Sequence, residues 1–404
     1  MIIEQWKKNL YAIFIAQFFV MVGFNFVGPF LPLFIQQLGG FSNELAAFWS
    51  GMSQAGLGIA LFLSGPLWGI VADRWGRKAM LLRAQFCSSF ILLGLGLSPN
   101  VYWVIALRLM QGFFSGTMTA AQAMVAGSTP REKVPFAMGL LMVAVFSGTT
   151  LGPLIGGVMA DMFSYRTTFY ITGGLLFLGG IIILFFTKED FVPPAPDQAA
   201  SLRGLLRMAM SRQMLPMLLT LCALQLGPQM INPVIPVFIR DIDPGIKAAT
   251  MSGIAFGGMG ITAAVSSVIA ARIGGRISLK KILVFSCIGT GLLYLPPAWA
   301  GTVAQVIIFI ALTGFLKGGL MASSSALVGL SAGQGQQGIA YGVAQSANAL
   351  GIGIGPLLGG ILSPLVGLRA VFGVAGGIFV AVGLFVYRLL ADVKLDSSSS
   401  TDSK

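Results

Sequence analysis

One ten-residue pattern of glycine and proline occurs twice in this chain, each time inside a long apolar segment. The second copy begins 203 residues after the first, which is half of the 404-residue length. Because glycine and proline interrupt and bend helices, repetition at this spacing predicts two structurally equivalent halves. The two copies read Gly148-x3-Gly152-Pro153-x2-Gly156-Gly157 and Gly351-x3-Gly355-Pro356-x2-Gly359-Gly360.

The apolar segments are long enough to cross a membrane. Hydrophobic residues make up 56% of the chain and charged residues 9%, which leaves too little polar side chain to coat a soluble globule. The segments approach the ~20 residues that a membrane helix needs, whereas strands of a membrane barrel have ~10 residues of alternating polarity. We therefore predict an all-α integral membrane protein with twelve spans, at 10–37, 47–72, 79–97, 101–126, 135–160, 167–187, 214–239, 249–271, 281–300, 303–328, 338–364 and 369–391.

Two shorter motifs repeat at almost the same spacing, so the duplication does not depend on one match. We predict two pseudo-symmetric bundles of six transmembrane helices that face a central cavity, the usual ground plan of a secondary transporter. Because two such halves complete one pathway, a monomer is expected. The motifs are Pro29-x2-Pro32, which recurs as Pro233-x2-Pro236, and Gln111-Gly112-Phe113, which recurs as Thr313-Gly314-Phe315.

Composition also divides the chain into regions. We predict an N-terminal bundle over residues 1–187 and a C-terminal bundle over residues 213–392. Residues 188–212 form a cytoplasmic linker, whose basic end is predicted to be an amphipathic interfacial helix. Residues 393–404 are polar and are predicted to be a disordered cytoplasmic tail.

The net charge of +12 is explained by the loops and does not require a nucleic-acid partner. Lys and Arg concentrate in alternate loops, so the positive-inside rule places both termini in the cytoplasm. The first apolar segment is too long for a cleavable signal peptide and is expected to remain as a span. With this orientation, the basic residues in outer loops are Arg166, Arg240, Lys247 and Arg369.

The loop between the second and third spans carries the strongest local motif. Its glycines permit a tight turn and its charges lie at the cytoplasmic surface. The second half keeps a basic turn from Arg272 to Arg276, but Ala271 stands in place of the acidic residue. The residues of the motif are Gly69, Asp73, Arg74, Gly76, Arg77 and Lys78.

These motifs resemble those of the major facilitator superfamily. Within it, the chain resembles the twelve-span drug:proton antiporters, and among them the bacterial multidrug transporters of the fluoroquinolone or fosfomycin exporter type. The resemblance covers nearly the whole chain and includes Trp6-Lys7-Lys8-Asn9-Leu10 and Lys188-Glu189-Asp190-Phe191. It implies a multidrug efflux transporter of a bacterial inner membrane that is driven by the proton gradient and needs no cofactor.

The resemblance also implies roles for single residues. Asp73 and Arg77 would stabilise the outward-facing state, although both could be ordinary positive-inside anchors of the loop. The pattern that begins at Gly148 resembles the antiporter-type motif of the fifth span, and its alternative role is helix packing. Arg108 resembles a buried arginine that acts in proton coupling or binds substrate charge, and its alternative is a structural arginine satisfied by backbone.

Proton coupling lacks an obvious carrier in this sequence. All 13 acidic residues fall in loops or at span ends, and the chain has no histidine. Where many drug antiporters carry an acid in the first span, this chain has Asn25. Three routes remain open: Asp73 at the gate, Glu44 or Asp161 near the outer face, and Lys317, whose charged form is disfavoured by desolvation.

Lys317 lies near the middle of the tenth span among glycines, too deep to snorkel easily to the surface. We predict that it faces the cavity and contacts substrate or couples protons. The alternative is that it binds backbone carbonyls exposed by the glycines. Because Arg108 is also buried and no acid lies opposite, anionic or zwitterionic drugs fit the cavity better than lipophilic cations.

Other residues are predicted to line the cavity, although each is equally compatible with helix packing. Amide side chains would supply hydrogen bonds, and flexible or aromatic side chains would supply adaptable apolar contacts. The amides are Asn25, Gln54, Gln122, Gln225, Gln229, Asn232, Gln345 and Asn348, and the apolar residues are Met142, Phe146, Met230 and Phe256.

An importer or facilitator of a small organic metabolite remains the main alternative, since it uses the same two bundles without an obligatory proton site. An enzyme is not expected, because the sequence has no nucleophile with a base, no metal cluster and no paired carboxylates. Cys87, Cys222 and Cys287 lack metal-ligand spacing and are predicted to be packing residues.

Overall fold

The computed structural model describes residues 4–189, 214–273, 278–331 and 337–389. Within these ranges the chain is helical, with short 3₁₀ turns and no β-strand. Apart from Lys188 and Glu189, the predicted linker lies outside the described residues, as does the predicted tail. The helices are α1 Gln5–Phe26, α2 Leu31–Gly39, α3 Asn43–Trp75, α4 Arg77–Gly96, α5 Val101–Phe114, α6 Thr117–Ser128, α7 Val134–Met162, α8 Tyr165–Phe186, α9 Met214–Ile231, α10 Ile235–Ile242, α11 Ala248–Ile273, α12 Leu279–Leu293, α13 Val303–Ser331, α14 Gln337–Val366 and α15 Leu368–Leu389.

The described residues form twelve membrane crossings. Ten helices are each long and apolar enough to cross a bilayer. Two further crossings consist of consecutive shorter helices, α5 with α6 and α9 with α10. Each half contributes six crossings, so α1 begins and α15 ends on the same side of the bundle. We call this side the terminal face and the opposite side the distal face.

Three crossings are interrupted where the sequence indicated single spans. α1 ends at Phe26 before α2, and α9 ends at Ile231 before α10. In both pairs the second helix has a proline in its first turn, where the missing N–H has no helical partner to lose. α5 and α6 are separated at Gly116, whose φ of 110° strongly favours glycine.

The two halves are packed alike. α1 lies against α7 in the first half as α9 lies against α14 in the second, and α4 lies against α8 as α12 lies against α15. One buried apolar cluster includes residues of both halves, such as Phe34 and Phe372. Because lipid tails are as apolar as these side chains, close van der Waals contact, more than water exclusion, holds such helices together.

Candidate substrate pathway

The duplicated glycine pattern packs helices within each half. On α7, Gly148, Gly152 and Gly156 face α1 so closely that an added Cβ would press against its backbone. The corresponding glycines of α14 face α9 in the same way. Small residues allow helix backbones to approach each other, so both halves use the pattern for the same contact.

The last glycine of each copy joins the two halves. Gly157 on α7 leaves no room for a Cβ against the carbonyl group of Ala249 on α11. Gly360 on α14 packs on the backbone of Phe48 on α3, less tightly than Gly157 packs on Ala249. The halves therefore meet along two helix pairs, α7 with α11 and α3 with α14.

The described contacts between the halves lie toward the distal face. Near the distal face, α7 and α11 are in close contact where Gly157 meets Ala249. We call this contact the seam. Along the same two helices toward the terminal face, Val143 and Phe146 of α7 and Ile261 and Val265 of α11 are exposed. The described contacts between α7 and α11 therefore run from Gly157 against Ala249 near the distal face as far as Gly260 against Thr150.

Polar contacts link the halves at the distal face. Asn43 Nδ2 donates to Asp241 Oδ1 at 3.1 Å, and the backbone N–H of Thr250 donates to Asp161 Oδ2 at 2.6 Å. Arg240 on α10 also donates to the side chain of a glutamine on α2 at 3.3 Å. Glu44 lies in the first turn of α3 at the same face. These contacts close the distal end of the pathway.

The turn between α3 and α4 is tied to the end of α8. Gly76 adopts a φ of 88°, and the backbone N–H groups of Arg77 and Lys78 donate to the carboxylate of Glu189 at 2.9 and 2.7 Å. Lys78 Nζ donates to two carbonyl oxygens at the end of α8, at 2.9 and 2.7 Å. A carboxylate at a helix N-terminus pairs with free N–H groups and the helix dipole, so Glu189 caps α4.

Asn9 extends this cluster to α1. Its side chain donates to the Lys188 carbonyl at 2.8 Å and accepts from the Lys188 N–H at 3.0 Å. The two short segments singled out in the sequence around these residues are thus in contact. The predicted gating residues Gly69, Asp73 and Arg74 lie in the last two turns of α3, and the structure does not describe their side chains.

Trp68 and Arg83 form a stacked pair beside the break between α5 and α6. The Arg83 guanidinium carbon lies 3.4 Å from the centroid of the Trp68 ring. Arg83 Nη2 donates to the carbonyl oxygens of Phe114 and Ser115 at 3.4 and 3.1 Å. The indole N–H of Trp68 donates to the preceding carbonyl, that of Phe113, at 2.6 Å. The pair therefore satisfies carbonyl groups that the interrupted helix leaves without helical donors.

Sequence reasoning did not find this role, because the positive-inside rule treats Arg83 only as one more basic residue of the cytoplasmic side. The signal that could have found it is Gly116, since a glycine in a strained turn inside a span exposes carbonyl groups that need donors. An arginine one span away can supply several donors at once.

Arg108 lies inside the first half. It is 4% exposed, and its Nη1 donates to Gln111 Oε1 at 3.1 Å on the same helix. Among the described residues, Arg108 Nε and Gln111 Nε2 have no hydrogen-bond partner. The arginine thus keeps part of its bonding capacity unused in a low-dielectric region, where an unmet donor is costly.

Lys317 lines a cavity of about 60 Å³ in the second half. It shares this cavity with Gln225 of α9, Asn348 of α14 and Ser324 of its own helix, and leucine side chains form the rest of the wall. The lining includes no carboxylate. The cavity therefore offers the positive charge of Lys317 and the amide groups of Gln225 and Asn348 to whatever enters it.

The remaining predicted amides differ in their use. Asn25 Nδ2 donates to Met21 O at 2.8 Å within α1, and Gln229 and Asn232 hydrogen-bond each other. Among the described residues, Gln54 Nε2 has no partner. Gln122 and Met142 are partly buried, Phe146 is 56% exposed, and the side chain of Gln345 is not described.

Met230 and Phe256 pack in the apolar core of this structure, and their place in the cavity stays a prediction. They are 0% and 8% exposed and belong to the apolar core. Apolar residues surround a membrane helix on all sides, so its sequence alone does not show which of them face the cavity.

Comparison with known proteins decides the family. The profile of the Major Facilitator Superfamily matches residues 13–253 and 217–404. The chain belongs to the major facilitator superfamily. Two solved structures have the same fold. A point mutant of the nucleoside transporter NupG superposes with a TM-score of 0.78 at 15% identity and covers 95% of this chain and 100% of its own. A bacterial homolog of the human lysosomal transporter Spinster gives 0.77 at 12% identity, with 96% of each chain covered.

Several relatives of this facilitator are similar over almost their whole length. The multi-drug resistance efflux pump PmrA homolog of Lactococcus lactis is 33% identical over 383 residues, 94% of each chain. PmrA of Streptococcus pneumoniae serotype 4 is 32% identical, with 91% of this chain and 92% of that protein covered. The multidrug resistance protein MdtG of Klebsiella pneumoniae is 32% identical, with 92% and 91% covered.

The two predicted cations, Lys317 and Arg108, lie in separate parts of the structure. Lys317, Gln225 and Asn348 share one cavity, whereas Arg108 does not line it and lies in the other half. The structure therefore does not combine the two buried cations into one site. Lys317 lines a space of about 60 Å³, which admits water or one small substituent of a larger molecule.

Proposed function

We propose that this protein exports drugs across the cytoplasmic membrane of a bacterium. The observation that carries the proposal is its similarity, over more than nine-tenths of its length, to proteins named multidrug efflux pumps. The terminal face is the cytoplasmic one, since Lys7, Arg77 and Lys78 lie there. This is the side from which an exporter loads, and the described contacts between the halves lie on the opposite, distal side.

The preferred substrates are amphipathic compounds with an acidic group, including zwitterions. Lys317 offers a cation at the edge of the cavity, and the sequence contains no Asp or Glu between Asp243 and Asp392. The ammonium lacks an acidic partner from this part of its own chain, and a charge inside a membrane protein is strongly favoured by a counter-charge. An acidic group of the substrate would supply it. A cavity of about 60 Å³ holds little more than that group, so the rest of the molecule would lie between the halves.

Transport follows from alternating access. The halves rock about the two helix pairs that join at Gly157 and Gly360, and the distal contacts of Asn43 and Asp161 must then break. Both bonds are to carboxylates, and hydrogen bonds to charged groups contribute about 1.5–3 kcal/mol each, so they bias the equilibrium without locking it. A substrate moves this equilibrium only by binding one state more tightly than the other.

The energy source is proposed to be the proton gradient, and no cofactor is required. Asp73, Glu44, Asp161 and Lys317 stay the possible carriers. The facilitator alternative is favoured by one observation: among the described residues, Asp and Glu lie at helix ends or in loops. A carrier without a membrane carboxylate would move substrate downhill.

Proteoliposomes with an imposed inside-acid pH gradient separate these two functions. We expect a fluoroquinolone and an anionic antibiotic to accumulate in the lumen above their outer concentration, and a lipophilic cation to accumulate less. Collapse of the gradient with a protonophore should abolish the accumulation. If the drugs only reach equal concentrations on both sides, whatever the pH gradient, the export proposal is wrong and the protein is a facilitator of downhill transport.

A further inference from the structure

A second cavity lies on the outside of the C-terminal half, between α11, α12 and α13. It measures about 340 Å³, within the range of small-molecule sites. Ile269, Ile282, Phe285 and Phe315 form part of its mostly apolar lining. Ile269, Phe285 and Phe315 are exposed at the protein surface, so the cleft opens sideways to the surrounding lipid.

The duplication shows which residues of the first half correspond to this cleft. Gly51 packs on the carbonyl of Pro356 as Gly253 packs on that of Pro153. Gly112 packs on the carbonyl of Leu57 as Gly314 packs on that of Met259. In these contacts the paired glycines are 202 residues apart. At the same offset, Trp68 corresponds to Ala270 and Arg83 corresponds to Phe285.

The first half fills this place with its own side chains. The Trp68 ring packs against Phe113 and Phe114, and the Arg83 guanidinium carbon lies 3.4 Å from its centroid. In the second half, Ala270 has no ring to fill the space, and Phe285 is 71% exposed. The cleft is therefore the position of the missing tryptophan and arginine.

A single cation lines the cleft among its described residues. Lys281 belongs to the lining and lies in the first turn of α12, at the terminal face. The neighbouring Lys280 is directed elsewhere, with its Nζ 5.5 Å from the centroid of the Tyr387 ring. No acidic residue occurs between Asp243 and Asp392, so the charge of Lys281 is not offset locally by the chain.

We propose that this cleft binds an anionic phospholipid of the leaflet at the terminal face. One acyl chain lies along Ile269, Ile282 and Phe315 in the space that Trp68 fills in the other half. The phosphate lies at the membrane surface beside the Lys281 ammonium. Basic residues between membrane helices favour anionic headgroups, and an apolar cleft open to the bilayer suits an acyl chain.

Native mass spectrometry of the purified full-length protein in detergent tests the proposal. The probes are phosphatidylglycerol and phosphatidylcholine with identical acyl chains, added in equal amounts. We expect the wild type to retain phosphatidylglycerol about fivefold better, the effect of one lysine near a headgroup. Lys281→Gln should abolish this preference, whereas the matched control Lys280→Gln should keep it.

Ala270→Trp tests whether an acyl chain occupies the cleft, since it introduces a ring at the position that corresponds to Trp68 of the first half. It should reduce retention of both lipids without lowering the thermal unfolding midpoint. Equal retention of the two lipids by the wild type, or equal loss in both lysine variants, would overturn the proposal. So would unchanged lipid retention in Ala270→Trp combined with lost drug transport, because the occupant would then be a drug. The lipid measurement does not depend on export, so either proposal can fail alone.

Discussion

Lys317 and Arg108 are both cations inside the membrane, but the chain supports them differently. Arg108 is buried and donates to Gln111 on its own helix. This contact fixes the arginine side chain but does not expose it to a cavity in which a substrate could reach it. Lys317 lines a cavity with amide groups from two other helices. Since desolvating a charge is expensive, the lysine that faces a space is the better candidate of the two for the proposed substrate contact.

Replacement of Lys317 should therefore act on anionic substrates selectively. Lys317→Gln keeps the size and polarity of the side chain but removes the charge. Hydrogen bonds to charged groups contribute about 1.5–3 kcal/mol, so transport of an anionic antibiotic at low concentration should fall about tenfold to a hundredfold. Transport of a lipophilic cation should change much less. Initial rates in proteoliposomes give both values.

Two further variants control this measurement. Lys317→Arg keeps the charge and should retain part of the anion transport, and Lys280→Gln removes a cation near the surface and should leave it unchanged. Wild-type transport of anions by correctly folded Lys317→Gln would assign the lysine to packing. Equal loss for anions and cations would indicate general disruption of the second half.

Arg83 shows what a sequence does not reveal about single residues. Its position near a membrane surface was predictable from the positive-inside rule, but its stacking on Trp68 and its bonds to the break after α5 were not. These contacts join three helices, and a sequence does not specify which helices are neighbours. The helix break itself was not predicted, because Gly116 is one of 54 glycines.

At the scale of the helix, α7 uses its glycines for two different contacts. Three of them bring it against α1, and Gly157 brings it against α11 of the other half. The spacing of the pattern predicted a bent, closely packed helix. It did not identify the partner helices, since a small residue permits any close contact.

Gly157→Ala should disturb the joint between the halves, because the added methyl group meets the Ala249 carbonyl. Overpacking of this kind costs about 1–3 kcal/mol, so the thermal unfolding midpoint and the transport rate should both fall. Gly139→Ala on the same helix is the matched control, since nothing lies within 4 Å of its added Cβ. There alanine should be neutral or stabilising, because it favours helix by about 1 kcal/mol over glycine. Equal effects of the two changes would show that helix propensity, not the seam, determines the result.

The whole molecule was more predictable than its parts. Bilayer thickness fixes the length of a span, and duplication fixes the architecture, so twelve crossings in two halves followed from the sequence. The sequence did not show which end of the pathway is closed, because the same residues must be compatible with both the inward-open and the outward-open state. The contacts of Asn43 and Asp161 at the distal face decide it for this structure.

If the halves rock during transport, fastening the distal face should stop it. Asn43 and Asp241 touch across the two halves at 3.1 Å, so cysteines at both positions lie within reach of a short, reducible thiol cross-linker. The background would carry alanine at the three native cysteines. We expect the cross-linked double variant to bind substrate from the terminal face but not to transport it, and reduction to restore its own uncross-linked rate. Each single-cysteine variant, treated with the same reagent, reports the effect of modification alone. Transport that continued in the cross-linked protein would mean that this distal contact need not separate, and the rocking movement would have to be abandoned.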